Sequence, residues 1–163
     1  MTSATLFVIL WTGISAAVGQ SEPRVASLRG IKQVHLALDP LPPEIASASL
    51  TRATLMADVA GRLGAGALTV GSNGEDAAIH MILNAVLIET AAGRNAGVAY
   101  NVSLAVEQSA TLRNGENVAA TTWRAGGIGV TARGRAGEAI RRQLREYVDR
   151  LLTDWRSANE RNR

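Results

Sequence analysis

The chain has 163 residues, enough for one domain with a substantial core and too few for two, and its 47 % apolar content includes only 4 % aromatics, so that core is built from Ala, Leu, Val and Ile. There is no cysteine, which excludes a disulfide framework, a thiolate metal site and a cysteine nucleophile. The formal net charge of +3 reflects an arginine excess, Lys32 being the only lysine among 17 basic residues, and a surplus of this size is not by itself a nucleic-acid footprint.

Residues 2–19 carry no charged side chain, and 6–18 (LFVILWTGISAAV) form their apolar part. The run ends in Ala17-Val18-Gly19, a small-x-small pattern, and is shorter than the ~20 residues that span a bilayer. This is the pattern of a secretory signal peptide over residues 1–19, cleaved near Gly19/Gln20, although its only positive charge is the terminal amine. No cysteine follows the run, so no lipid attachment and no stable membrane anchor is expected after cleavage. The expected location is periplasmic or secreted.

Residues 20–30 are polar and mixed and read as a flexible lead-in. Residues 31–38 (IKQVHLAL) alternate as a strand with Val34, Leu36 and Leu38 on one face, and Asp39-Pro40-Leu41-Pro42-Pro43 stops it. Over 44–63, Ile45, Ala48, Leu55, Val59 and Leu63 recur at helical spacing, interrupted by Arg52. Glu44 falls in the first turn of the expected helix, where a negative charge suits the dipole, and Gly64 and Gly66 close it. A short strand follows at 67–71, a turn at 72–76, and a longer strand at 78–89 that is apolar on both parities and therefore central.

After a Gly- and Ala-bearing loop at 90–97, residues 99–112 and 117–123 form a long hairpin around Arg113-Asn114-Gly115-Glu116. Val98, Tyr100, Val102, Leu104, Val106, Ala110 and Leu112 share the core parity, while Asn101, Ser103, Ala105, Glu107 and Ser109 share the other. Residues 124–134, with Gly126, Gly127, Gly129 and Gly134, either continue the second strand with a bulge or loop out. A last helix spans 135–159 with Ile140, Leu144, Val148, Leu151 and Trp155 as its apolar stripe, and 160–163 is a frayed tail. Glu138 to Arg142 and Glu146 to Arg150 are spaced i, i+4 in the favourable order.

The order β-α-β-β-β-β-α defines an α+β fold over a single domain, 31–159: a mainly antiparallel sheet of about five strands with two helices packed on one face.

Chemistry-bearing patterns are sparse. His35 and His80 are the only histidines, and with Glu107 they share the face left open by the helices, but no ligand spacing accompanies them. The glycine run 126–129 lacks the lysine of a phosphate loop and leaves an antiparallel hairpin rather than a parallel βαβ unit, so it reads as a flexible turn or bulge. No Gly-x-Ser-x-Gly elbow occurs and no carboxylate pair reads as acid and base. Arg141, Arg142, Arg145, Arg150 and Arg156 are interleaved with Glu138, Glu146, Asp149 and Asp154, which reads as a salt-bridged solvated face. Asn101-Val102-Ser103 matches a glycosylation acceptor but lies mid-strand. No catalytic residue, metal ligand or cofactor is expected.

The same order resembles the α/β modules in the amino-terminal domain of the Tol translocation propeller protein and in the lipoprotein activators of penicillin-binding proteins. The resembling residues are 31–38, 43–63, 67–71, 99–108, 120–123 and 148–159. The chain is also similar to uncharacterised exported bacterial proteins with an AYNVSLAVEQ, TTW, terminal helix and DW-x-x-AN order. The resemblance implies a non-enzymatic periplasmic adaptor and assigns no functional residue.

The residues therefore point first to a binding or adaptor protein of the cell envelope. It would work by protein contact or self-association through the open sheet face, at His35, His80, Ile82, Val86, Ile88, Asn101, Ser103 and Glu107. Two alternatives stand beside it: a small-ligand binder or hydrolase near His35 and His80, and an anion-binding module on the arginine-rich last helix. Nucleic acid is not an expected partner.

Overall fold

The computed structural model describes residues 22–46, 50–71, 77–89, 91 and 95–160. The signal-peptide stretch, the 72–76 turn and residues 161–163 of the tail lie outside them. Among these residues five strands and three helices follow in the order α1 (Glu22–Ala26), β1 (Gln33–Leu38), α2 (Arg52–Ala65), β2 (Thr69–Val70), β3 (Ala77–Glu89), β4 (Asn95–Thr111), β5 (Asn117–Thr131) and α3 (Ala136–Glu160), with a short 3-10 turn at Arg133–Arg135. The expected α+β class holds.

The sheet order is β2-β1-β3-β4-β5, which places β3 in the middle as its two-sided apolarity required. β1 runs parallel to both β2 and β3, with α2 making the crossover that parallel neighbours need, while β3, β4 and β5 form an antiparallel meander. Val34, Leu36 and Leu38 of β1, Ile79, Met81 and Leu83 of β3, and Val98, Tyr100, Val102, Leu104 and Val106 of β4 point to one face. There they meet Leu55, Val59 and Leu63 of α2 and Ile140, Leu144, Val148 and Leu151 of α3. That face is the core; among the described residues no helix covers the opposite face. Leu112 and Val118 share the core parity but stay exposed, because the tip of the hairpin runs on past the helices.

Several local expectations are corrected. First, α2 begins at Arg52, not at 44. Thr51 caps it through a reciprocal box: Thr54 N–H donates to Thr51 Oγ1 (3.1 Å) and Thr51 N–H to Thr54 Oγ1 (3.0 Å). Ile45, expected on the helical stripe, reaches the core from the connection before the cap, as Leu50 does, and Ile45 N–H donates to Pro42 O. Arg52 interrupted the stripe because the helix starts there.

Second, α2 ends in a Schellman motif whose left-handed residue is Ala67 (φ 68°), not a glycine. Leu68 N–H reaches Leu63 O and Ala67 N–H reaches Gly64 O, and Leu68 and Leu63 are both buried.

Third, the lead-in is ordered from residue 22. α1 turns at Ser27, and Leu28 is buried in the core. Gln108 Nε2 donates to Ser27 O, Asn159 Nδ2 to Leu28 O and Trp155 Nε1 to Ile31 O, so β4 and the end of α3 stitch this segment down. The packing carries α3 to Glu160, one residue into the expected tail.

The glycine run is strand, not a flexible turn. β5 continues to Thr131, and the register shift opposite Val106 and Glu107 makes Thr122 the bulged residue. The glycines serve close approach: a Cβ on Gly129 would lie 2.4 Å from the Tyr100 ring, and one on Gly127 would lie 2.7 Å from Tyr147 Oη. Two tyrosines, one from β4 and one from α3, lie across the space that these residues leave.

Candidate functional site

Strand parity and register lay out the helix-free face row by row. Ala37, His80, Ala105 and Arg124 form one row, Ile82, Ser103 and Gly126 the next, then Asn84, Asn101 and Ile128, then Val86, Ala99 and Val130. One end is polar and titratable; the other is aliphatic.

At the polar end His80 is held between two carboxylates. Its Nε2 lies 2.8 Å from Asp39 Oδ1 and its Nδ1 3.4 Å from Glu107 Oε1. The Asp39 hydrogen bond raises the imidazole pKa above its ordinary value, with the Glu107 bond adding to it and partial burial opposing it. Asp39 was not legible as a partner, since it read only as part of a strand-stopping loop. The parallel β1–β3 register, Ala37 opposite His80, brings it there, and Asp39 N–H bonds Met81 O.

Each imidazole nitrogen faces its own carboxylate, on opposite sides of the ring. The three side chains therefore do not converge on one point, and no metal-holding group of three occurs among the described residues. Both nitrogens have a carboxylate within reach, the Asp39 contact being the shorter. His35 shares the face but sits in the neighbouring row, opposite Ala78, exposed and outside this cluster.

The aliphatic end is the larger feature. Val86 is 62 % exposed, Ile128 78 % and Val130 68 %, leaving on the order of 300 Å2 of aliphatic surface on three side chains. Ile82 and Ile88 are half-buried beside them. Asn101 is half-buried, whereas Ser103, expected on the wetter parity, is buried between Ile82 and Gly126 with no partner for its Oγ among the described residues. Sequence reasoning missed Ile128 and Val130 because it left 124–134 undecided. The alternation Arg124, Gly126, Ile128, Val130 against Ala125, Gly127, Gly129 was the available signal.

On the helical side, Arg141 pairs with Asp58 (2.7 Å) and Arg62 with Asp149 (2.5 Å), so these arginines bind α3 to α2. A shallow cleft of about 470 Å3 lies where α1 meets the β5 bulge, lined by Arg24, Ser27, Thr121, Thr122, Trp123 and Arg124. Its floor is fixed: Trp123 is buried, donates Nε1–H to Asp154 Oδ2 (2.8 Å) and carries the Arg24 guanidinium 5.2 Å above its ring.

No protein-family model matches the chain, and no curated protein matches it. Solved structures are similar to it. A dodecameric single-residue variant of PelC from Paraburkholderia phytofirmans shares 14 % identity over 78 % of this chain and 87 % of that one, with a TM-score of 0.40. The rare lipoprotein B of Shewanella oneidensis shares 18 % over 77 % and 94 %, with a TM-score of 0.37. A minor lipoprotein from Acinetobacter baumannii shares 12 % over 80 % and 95 %, with a TM-score of 0.34. Neither the Tol propeller module nor a penicillin-binding-protein activator is among these three.

Proposed function

We propose that this is an exported protein of the cell envelope that works by contact, docking another envelope protein on the helix-free face of its sheet. The observation that carries the reading is the group Val86, Ile128 and Val130, three aliphatic side chains held out to solvent on one face of the sheet, with Ala99 between Val86 and Val130 and Gly126 beyond Ile128 towards the polar end. The apolar 6–18 stretch with its small-residue end supports export. At the titratable end, His80 between Asp39 and Glu107 ties the end of β1 to β3 and β4.

The test is photocrosslinking in living cells, with the photoreactive residue at 86 in one strain and at 142 on α3 in another. A discrete adduct formed only from position 86, and abolished by Ile128→Asp, supports the face as a docking surface. Identical adducts from both positions, or none from 86, refute it. Cell fractionation of the same strains checks export separately.

A further inference from the structure

We propose that β5 is a self-pairing edge: two copies of this chain join antiparallel along residues 123–131 to make one continuous ten-stranded sheet. This goes beyond the face-docking reading, because the contact is made by main-chain groups at the rim of the sheet and not by side chains on its face.

The two rims of the sheet are treated differently. At one rim β2 is only Thr69–Val70, a short edge of the kind that resists pairing. At the other, β5 runs from Asn117 to Thr131 with no neighbour beyond it among the described residues. Part of this rim is guarded. The bulge at Thr122 breaks the ladder, and Ser27 Oγ of the α1 turn donates to Thr122 O (3.2 Å). Past the bulge, residues 123–131 (WRAGGIGVT) contain no proline and no lysine, and Arg124 is their only charge. In an antiparallel ladder every second residue of an edge strand turns its N–H and C=O away from the paired neighbour, and those groups complement another strand edge.

A second copy fits because the edge is self-complementary. With a two-fold axis at Gly127, residues whose numbers sum to 254 face each other. Ile128 of each copy then lies beside Gly126 of the other, a protruding side chain over a position with none. Arg124 lies beside Val130, so no like charges oppose. Directly opposite residues of an antiparallel pair share a face, so this register joins both aliphatic clusters on the same side of the extended sheet. The size of the contact sets its strength. Residues 123–131 make a rim about 30 Å long and about 10 Å thick, roughly 300 Å2 per copy, against about 800 Å2 per partner in a standard stable complex. The pairing is therefore concentration-dependent rather than obligate.

The test uses the absence of cysteine from the chain. Full-length protein carrying Arg124→Cys is mixed with protein carrying Val130→Cys under mild oxidation. Facing positions have Cα atoms about 5 Å apart, within disulfide reach, so a mixed disulfide dimer is expected. Arg124→Cys with Val86→Cys, two strands in from the rim, is expected to give none. In the unsubstituted protein, amide exchange at alternate residues between 124 and 130 is expected to slow about tenfold on going from dilute to concentrated solution. Absence of the mixed disulfide together with concentration-independent exchange overturns the proposal, and so does equal crosslinking through position 86. Ile128→Asp changes a face side chain while the main chain of β5 stays able to pair. Adduct loss in cells with the exchange protection retained therefore separates the two readings.

Discussion

Replacing Gly129 by alanine tests whether the glycine run exists to seat Tyr100. The added Cβ would sit 2.4 Å from Tyr100 Cζ and Oη and 2.9 Å from Cε2, where ordinary contact begins near 3.4 Å. Tyr100 stands directly opposite on β4 and is buried, so the ring has little room to retreat. Such overpacking costs about 1–3 kcal/mol. Removing a glycine offsets up to ~1 kcal/mol of this by narrowing the unfolded ensemble. The net expectation is a loss of roughly 1–2 kcal/mol, which for a chain of this size lowers Tm by about 3–6 °C. Urea unfolding followed by far-UV circular dichroism measures it. Tyr100→Leu deletes the clashing atoms at its own cost of about 2–4 kcal/mol. In that background Gly129→Ala is expected to be neutral or mildly stabilising, a coupling of about 1–2 kcal/mol. Gly64→Ala on α2 meets open space and serves as a control expected to gain up to ~1 kcal/mol. If Gly129→Ala costs the same with and without the tyrosine ring, or stabilises the natural sequence, the close-approach argument is wrong.

Two further outcomes follow from single side chains. Ala67→Gly relieves an alanine held at φ 68° in the Schellman motif and is expected to raise stability by about 0.5–1 kcal/mol in urea unfolding; a loss would mean that the alanine methyl makes a contact outweighing the backbone strain. His80 has its pKa raised by Asp39 first and Glu107 next, so its contribution is fully present below the unfolded value of about 6.5 and fades as pH rises through the higher folded value. Both partners are substantially exposed, which limits the effect to about 0.5 kcal/mol. Unfolding midpoints of the natural chain and of His80→Gln should therefore converge as pH rises through that interval, and a difference that widens with pH would reverse the assignment.

The parts of the fold that depend on local pattern were readable from residues alone. Alternation along 98–106 assigned the core face of β4, two-sided apolarity put β3 in the middle, and the stripe from Ile140 to Leu151 assigned the buried side of α3. Period 2 and period 3.6 are properties of one chain segment meeting one apolar layer, so sequence spacing carries them. What sequence spacing could not carry is which segments meet. Ile45 fitted a helical rhythm although it is buried from a turn ahead of the helix, because burial depends on where the chain passes and not on its local conformation. Asp39 joined His80 only through a parallel register set by the α2 crossover, and Leu28 found the core only because Asn159 and Gln108 lie beside its turn. The glycines at 127 and 129 looked like freedom in the sequence and proved to be space for Tyr147 and Tyr100, side chains 20 and 29 residues away in the chain. Tertiary packing likewise decided that β5 is the last strand of the sheet among the described residues, and with it that Ile128, Val130 and one strand edge stand at the rim. Spacing can say that a strand has two faces; only the assembled sheet says which neighbours it has and which edge it leaves open.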